Sequence, residues 1–520
     1  MLATAAATIG FLGLPYARQI ANKKLVPVAN AKLGVNLAGI VDWSTEFALV
    51  DLFKQSRAWY VEGKDTSDSG LTLDADGWVT QLPLGSKAST IISSLDNSHF
   101  PNGDYMILYE GEGDISVPNH LKKSAKAGQI VVNIDATKNL FRLDITKTNP
   151  YNYIKNIRVV PATQVHSYQQ NRWSAHFLAR WKGIACLRFM DVMQTNNSLQ
   201  TNWQNRPKPT DASFTSKGVP LEWLIDLANQ LHCDAWFCLP HMADDDYIKQ
   251  FAIMVKANLK PNLKVYIEYS NEVWNGSFAQ QIYASQQGLR LQLSSQPSEA
   301  GWRYTALRST QIFSIWATVF GGAQQLVRVL ATQAVYYEVA KQILGFQLPN
   351  GKVTADDADV LAVANYVGLS VTHALENGLN DTIVADWHLD KLFKHLNEIE
   401  LPDRQNSMVA NKKMADDYGL KLVAYEAGQH LTGYAGAQDN DKLTALFLQA
   451  NADARMGMLY SKSLGLWQQI GGDLMCAYNS IGLWSKWGSW GLLQYHDVKP
   501  TPKFKAVIDW ANARGQKMRL

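Results

Sequence analysis

The stretch Val265-Tyr266-Ile267-Glu268-Tyr269-Ser270-Asn271-Glu272-Val273-Trp274-Asn275 decides how the rest of the chain is read. Its first half is β-branched and aromatic, the composition of a strand. It ends in an Asn-Glu pair beside aromatics. A carboxylate at the C-terminal end of a strand, with an amide before it, is a positioned acid or base. A second such carboxylate stands far downstream, in Lys421-Leu422-Val423-Ala424-Tyr425-Glu426-Ala427-Gly428. Whether the two meet depends on what lies between and before them.

Outward from this stretch, the pattern after about Pro161 is strand, loop, helix, repeated. Strand candidates are Ile184 to Met190, Ala235 to Leu239, Leu263 to Tyr269, Leu326 to Thr332, Val360 to Asn365, Leu422 to Glu426 and Leu474 to Tyr478. Helical stretches, such as Leu221 to Leu231, Asp245 to Ala257, Arg303 to Phe320 and Lys442 to Leu459, separate them. An early strand around Val35, followed by a helical stretch near Phe47 to Ser56, completes a set of eight β/α units. The expected fold is α/β, a (β/α)8 barrel. From Gly63 to Val160 the character differs. Roughly seven short alternating runs are punctuated by Asp74-Ala75-Asp76-Gly77, Asn102-Gly103 and Asn149-Pro150, which predicts an inserted β-sandwich. The expected division is a leader over 1–31, the barrel over 32–62 and 161–520, and the sandwich over 63–160. A doubly wound sheet would want a glycine-rich phosphate loop after an early strand, and none is present. Gly345 to Lys352 misses the P-loop spacing by one residue, and no G-x-S-x-G elbow occurs.

Composition narrows the function classes. The 520 residues carry a net charge of +3 with no basic block, so nucleic acid is not the expected partner. The 17 Trp and 21 Tyr suit either a large core or stacking on sugar rings. All four cysteines, Cys186, Cys233, Cys238 and Cys476, sit in or next to apolar runs and read as buried thiols. His232, Cys233, Cys238 and His241 suggest a metal cluster at first sight. Cys233 and Cys238 differ by an odd number, so on one strand they point to opposite faces, and zinc is rejected. No metal or organic cofactor is expected. Met1 to Ala17 is apolar but too short and too broken for a membrane span. Ala29-Asn30-Ala31 resembles a small-residue cleavage site, so a secreted or periplasmic protein with an atypical leader is expected, an ordinary N-terminal helix being the other reading of the segment.

In a barrel, functional side chains come from the C-terminal ends of strands. Read in order, strand two ends in Leu187-Arg188-Phe189-Met190-Asp191 and strand three in Leu239-Pro240-His241. Strand four ends in Asn271-Glu272, strand six in Asn365-Tyr366 and strand seven in Glu426. Strand eight runs into Tyr478-Asn479 and then Trp484, Trp487 and Trp490. This ordered set resembles clan A of the glycoside hydrolases, the group that includes the family 5 cellulases and mannanases. The resemblance covers the barrel segments. It implies a retaining glycosidase acting on β-linked bonds of a polysaccharide or oligosaccharide by double displacement. Glu272 would be the general acid/base and Glu426 the nucleophile, with carboxyls about 5–5.5 Å apart. Arg188 and Tyr366 would hold Glu426 ionised, Asn271 would bind the sugar 2-hydroxyl, and His241 and Trp484 would contact the substrate. The expected partner is thus a saccharide, with no nucleic acid, no stable membrane span and no assigned oligomeric state.

Each residue also has a plain structural reading. Glu272 could serve a helix start, and Glu426 an ion pair. Arg188 in an apolar strand demands a partner whatever its role. His241 could cap the Asp244–Asp246 turn, Tyr366 could be core, and the tryptophans could fill the barrel mouth. Two further functions use the same cleft: a carbohydrate-binding pseudoenzyme, and a transglycosylase passing the glycosyl-enzyme to a sugar hydroxyl.

Overall fold

A computed structural model describes residues 27–64, 69–95, 99–138, 140–373 and 379–519. Eight strands form a closed parallel barrel: β1 (Lys32–Asn36), β2 (Cys186–Arg188), β3 (Asp234–Leu239), β4 (Val265–Tyr269), β5 (Leu326–Thr332), β6 (Val360–Val367), β7 (Lys421–Gln429) and β8 (Leu474–Ala477). β1 pairs in parallel with both β2 and β8, which closes the ring. The fold is a (β/α)8 barrel, as the strand pattern predicts.

Strand alternation divides the apolar residues into two cores. On β3, Ala235, Phe237 and Leu239 face the helices, while Trp236 and Cys238 face the barrel interior. The interior layer also holds Cys186, Val329, Ala362, Val423, Tyr425 and Cys476. It is tight enough that a Cβ on Gly34 would lie 2.7 Å from Cys476 Sγ. The helices cover the outside. Asp245–Asn258 shows why they form: Asp244 caps its start by accepting from Tyr247 N at 2.7 Å. Two acids occupy its first turn and Lys256 its last, in keeping with the helix dipole. Tyr247, Ile248, Phe251, Ala252 and Val255 line its buried face.

Between β1 and β2 the chain leaves the barrel. Strands Gly103–Glu110, Leu121–Lys126, Gln129–Ile134 and Lys155–Pro161 form a four-stranded antiparallel sheet. Ala88–Ser93, Gly113–Ser116 and Phe141–Thr148 form a three-stranded one. Trp78, Ile107, Val132, Leu143, Ile145 and Val159 contribute to one core shared by these sheets. The exposed strand Leu121–Lys126 carries three lysines, which discourage pairing with another chain.

The stretch Phe47 to Ser56, read from sequence as helical, holds only a 3-10 turn, Leu52–Gln55. Asp51 explains it: one carboxylate oxygen accepts from Phe53 N at 3.1 Å and from Val159 N at 3.0 Å, tying the turn to the inserted sheets. Phe47, Leu52, Phe53 and Trp59 accordingly pack in the insert's core, and Phe47 also meets the ring of His496, in the loop after β8, at 5.1 Å.

The insert is anchored to loops at the C-terminal end of the barrel. Arg57 forms a two-point ion pair with Asp42 at 3.1 and 2.6 Å. Lys54 Nζ donates to Pro209 O at 3.1 Å, and His496 bonds His99 O at 3.1 Å. These contacts set the insert beside the mouth on the side of β1, β2 and β8. Among the described residues no helix is long and apolar enough to cross a membrane. The expected leader lies almost wholly outside the described residues.

Candidate active site

Arg188, fully buried at the end of β2, organises the barrel mouth. Its Nη1 donates to Glu426 Oε1 at 3.1 Å and Asn36 Oδ1 at 3.0 Å. Its Nη2 donates to Asn271 Oδ1 at 2.8 Å. Nε and Nη2 also grip Glu268 at 3.1 and 2.9 Å. One guanidinium therefore joins the ends of β1, β4 and β7. Such a buried charge is tolerable only because every side of it is paired.

Glu426 is held at both oxygens. Tyr366 Oη donates to Oε2 at 2.8 Å, opposite the Arg188 contact on Oε1. Burial raises the Glu426 pKa; Arg188 and Tyr366 oppose that rise by stabilising the ionised form. β7 reaches this geometry through a bulge. Ala424 pairs with Val363 and Glu426 with Ala364, so Tyr425 is one residue extra. Tyr425 and Glu426 thereby both serve the interior although they are consecutive.

Tyr425 Oη then crosses the mouth and donates to Glu272 Oε1 at 2.9 Å. Asn275 Nδ2 donates to Glu272 Oε2 at 3.0 Å. Burial, and next the negative charge of Glu426, push the Glu272 carboxyl up to about 7. Backbone geometry at this corner is unusual: Ser270 has φ 57° and Glu272 has φ 42°, in the left-handed region that favours glycine. Side chains held in such conformations cost about 1–3 kcal/mol each and concentrate at functional sites.

Asn271 is positioned by more than Arg188. Its Nδ2 donates to Asn196 Oδ1 at 3.0 Å, and Gln280 Nε2 holds both Asn196 Oδ1 at 2.7 Å and Asn271 O at 2.9 Å. One Asn271 N–H remains for a ligand. The His241 ring packs 5.3 Å from that of Tyr283. Burial lowers its pKa to about 4, so it is neutral at pH 7, and its buried Nδ1 has no partner among the described residues.

Of the tryptophans after β8, Trp490 is the one that packs beside the tyrosines bonded to Glu426 and Asp191. Its ring centroid lies 5.6 Å from Tyr366, 6.0 Å from Tyr478 and 4.7 Å from His430. Trp484 is tied within its loop: its indole donates to Gly491 O at 2.9 Å, and Lys503 Nζ sits 4.8 Å from its ring centroid. Trp487 is about half exposed.

No family model matches the chain, and no curated protein matches its sequence. Among solved structures, it is similar to a 4-O-α-L-rhamnosyl-β-D-glucuronidase from Fusarium oxysporum. That match has 10% identity, covers 64% of this chain and 63% of the other, and has a TM-score of 0.39. An endo-β-1,4-mannanase from Thermotoga petrophila matches at 12% identity over 67% of this chain and 74% of its own, with TM-score 0.35. A β-glycosidase from Thermosphaera aggregans matches at 10% identity over 66% and 84%, with TM-score 0.35. Likenesses this distant transfer neither residues nor activity to this chain.

Four residues of the cluster are absent from the sequence-level candidates: Asn36, Glu268, Tyr425 and Asp191. Glu268 carried a signal. It shares strand parity with Tyr266, which faces the interior, and a charge in mid-strand needs a partner there. That partner is Arg188, with Trp236 Nε1 donating to Glu268 at 2.8 Å. Asp191 lies three residues past the end of β2 and accepts from Tyr478 Oη at 3.1 Å. Burial, and next the charge of Glu426, push it up to about 7.

Proposed function

We propose that this chain is a retaining glycoside hydrolase that cleaves β-linked bonds of a polysaccharide or oligosaccharide by double displacement. One observation carries the reading: two carboxyls at the ends of β4 and β7 share one mouth in opposed environments. Glu426 is gripped by a buried guanidinium and a tyrosine hydroxyl, which favour the ionised form. Glu272 receives only neutral donors and sits high enough to keep its proton near neutral pH. Burial raises both carboxyls, but only Glu426 has a bonded cation to offset it; acid pairs with such unequal surroundings divide as general acid and nucleophile.

In the first step the Glu426 carboxylate attacks the anomeric carbon while Glu272 protonates the departing oxygen. A glycosyl ester on Glu426 results. Its formation neutralises the charge on Glu426, which lowers the Glu272 pKa and readies that carboxylate to take a proton from water. Water then attacks the anomeric carbon, frees Glu426 and restores the proton to Glu272. The free Asn271 N–H is placed to bind a sugar hydroxyl, a contact that strengthens as charge builds in the transition state.

The test is reducing-end release on β-glucan and β-mannan panels, with Glu272→Gln and Glu426→Gln as controls. Each control should fall by at least about 10²-fold. If the parent binds a saccharide yet releases nothing, and both controls bind equally well, the hydrolase reading fails in favour of a binding protein.

A further inference from the structure

One carboxyl of the mouth has no part in the reaction above. Asp191 Oδ2 accepts from Tyr478 Oη at 3.1 Å. Its Oδ1 has no protein partner among the described residues and keeps contact with solvent. No cation bonds to it there. Arg188, three residues back, is committed to Glu268, Glu426, Asn36 and Asn271. Arg188 acts on Asp191 only through space, and a carboxylate largely drawn out of water with one bare oxygen and no bonded cation is unfavourable unless it meets a donor in the working state.

Asp191 lies where a sugar donor would arrive. Tyr478 carries the bond to Asp191 and packs 6.4 Å, ring to ring, from Tyr366, whose hydroxyl bonds Glu426. Asp191, Tyr478, Tyr366 and Glu426 thus form a continuous row along the β2, β8, β6 and β7 side of the mouth. The charge of Glu426 is also felt at Asp191.

The mouth is short of positive charge. Among the described residues, Arg188 is the one arginine that bonds Glu268 and Glu426 and acts through space on Asp191 and Glu272. His241 and His430 are held neutral at pH 7 by burial. Lys503, below the β8 loop, is fully buried and occupied by Ser489 O at 2.7 Å and the Trp484 ring. Above about pH 7, where Asp191 is ionised, an acidic sugar in this position would meet like charge with no uncommitted cation of this cluster to pair with, whereas a hydroxyl would find a ready acceptor.

We propose that Asp191 is a sugar-binding residue of the cleft, whose bare Oδ1 accepts a hydroxyl of the sugar beside Glu426 and whose charge, in the ionised form, disfavours uronic acids at that position. The inference rests on the glycosidase reading for where that sugar sits.

The experiment is affinity gel electrophoresis, run above about pH 8 where Asp191 is ionised, of the parent, Asp191→Ala and Asp191→Asn on neutral polymers (β-glucan, β-mannan, β-galactan, xylan) and on a β-linked polyuronate. Reducing-end release is followed on the same polymers. The parent should be retarded by at least one neutral polymer and not by the polyuronate. Asp191→Ala should weaken neutral binding on the order of tenfold or more, the worth of one hydrogen bond to a charged group. Asp191→Asn keeps the shape and removes the charge, so the ratio of neutral to acidic affinity should fall about tenfold. A role confined to holding Tyr478 would not change that ratio.

Binding by Asp191→Ala within about twofold of the parent overturns the proposal, as does a parent that prefers the polyuronate or binds none of the polymers. If Asp191→Ala does not fold, the Asp191→Asn ratio decides alone. A parent that binds neutral polymer through Asp191 but releases no reducing ends supports Asp191 and refutes the hydrolase. A parent that hydrolyses equally well without Asp191 does the reverse.

Discussion

Replacing Glu272 with Gln should abolish turnover yet make the folded chain more stable above neutral pH. The Glu272 carboxyl rises from 4.5 to about 7 on folding, through burial and then the charge of Glu426. Because the folded-state value is the higher one, the folded chain holds this proton more tightly than the unfolded chain. That contribution to stability is complete below about 4.5 and is lost as pH climbs to about 7. At about 1.4 kcal/mol per pH unit, the upper bound is about 3 kcal/mol. Glu272 retains some solvent contact and titrates jointly with Glu426, so about 1–2 kcal/mol is the working value. Gln mimics the protonated form at every pH. Its carbonyl can accept from Asn275, and its amide can donate to the Tyr425 oxygen, so both existing contacts survive. Thermal or urea unfolding of parent and variant at pH 5 and pH 8 reads the effect. The variant should gain stability at pH 8 and show a much smaller difference at pH 5. A gap of the same size and sign at both values would refute the raised Glu272 pKa, and with it the assignment of the acid.

Other consequences concern the same cluster. The alkaline limb of kcat/KM should fall near pH 7, where Glu272 loses its proton. It should vanish in Glu272→Gln assayed on an aryl glycoside whose leaving group needs no acid. Tyr425→Phe removes a donor that favours ionised Glu272, so the alkaline limb should move to higher pH; a limb that stays or moves down would count against the Tyr425 contact. Arg188→Met strands Glu268 and Glu426 as buried charges. It should cost about 3–5 kcal/mol in unfolding experiments and shift the acid limb of any residual activity upward, since Arg188 holds the Glu426 pKa down.

The barrel was legible because strand alternation and the repeated strand-loop-helix order leave few other topologies. Arg188, Asn271, Tyr366 and Glu426 were legible for a related reason: strand ends in a parallel barrel converge, so residues far apart in sequence become neighbours. What stayed hidden depends on departures from that regularity. Simple alternation places Tyr425 and Glu426 on opposite faces, and only the β7 bulge brings both to the mouth. The run from Phe47 to Ser56 has helix-like apolar spacing, but Phe47, Leu52 and Phe53 belong to the insert's core while Ala48 and Leu49 belong to the barrel's, a division no local pattern reveals. Trp484 and Trp490 are equivalent as letters. A buried lysine and a loop carbonyl claim the first, while the second turns toward Tyr366.

Covalent trapping tests the two-carboxylate double displacement most directly. The protein would be incubated with an activated 2-deoxy-2-fluoro aryl β-glycoside of whichever sugar the polymer panel selects, then digested and sequenced by mass spectrometry. The sugar should appear on Glu426, within the peptide around Lys421 to Gly428, and the label should be absent from Glu426→Gln. A label on Glu272, or hydrolysis with inverted configuration and no label at all, would contradict the assignment of Glu426 as nucleophile.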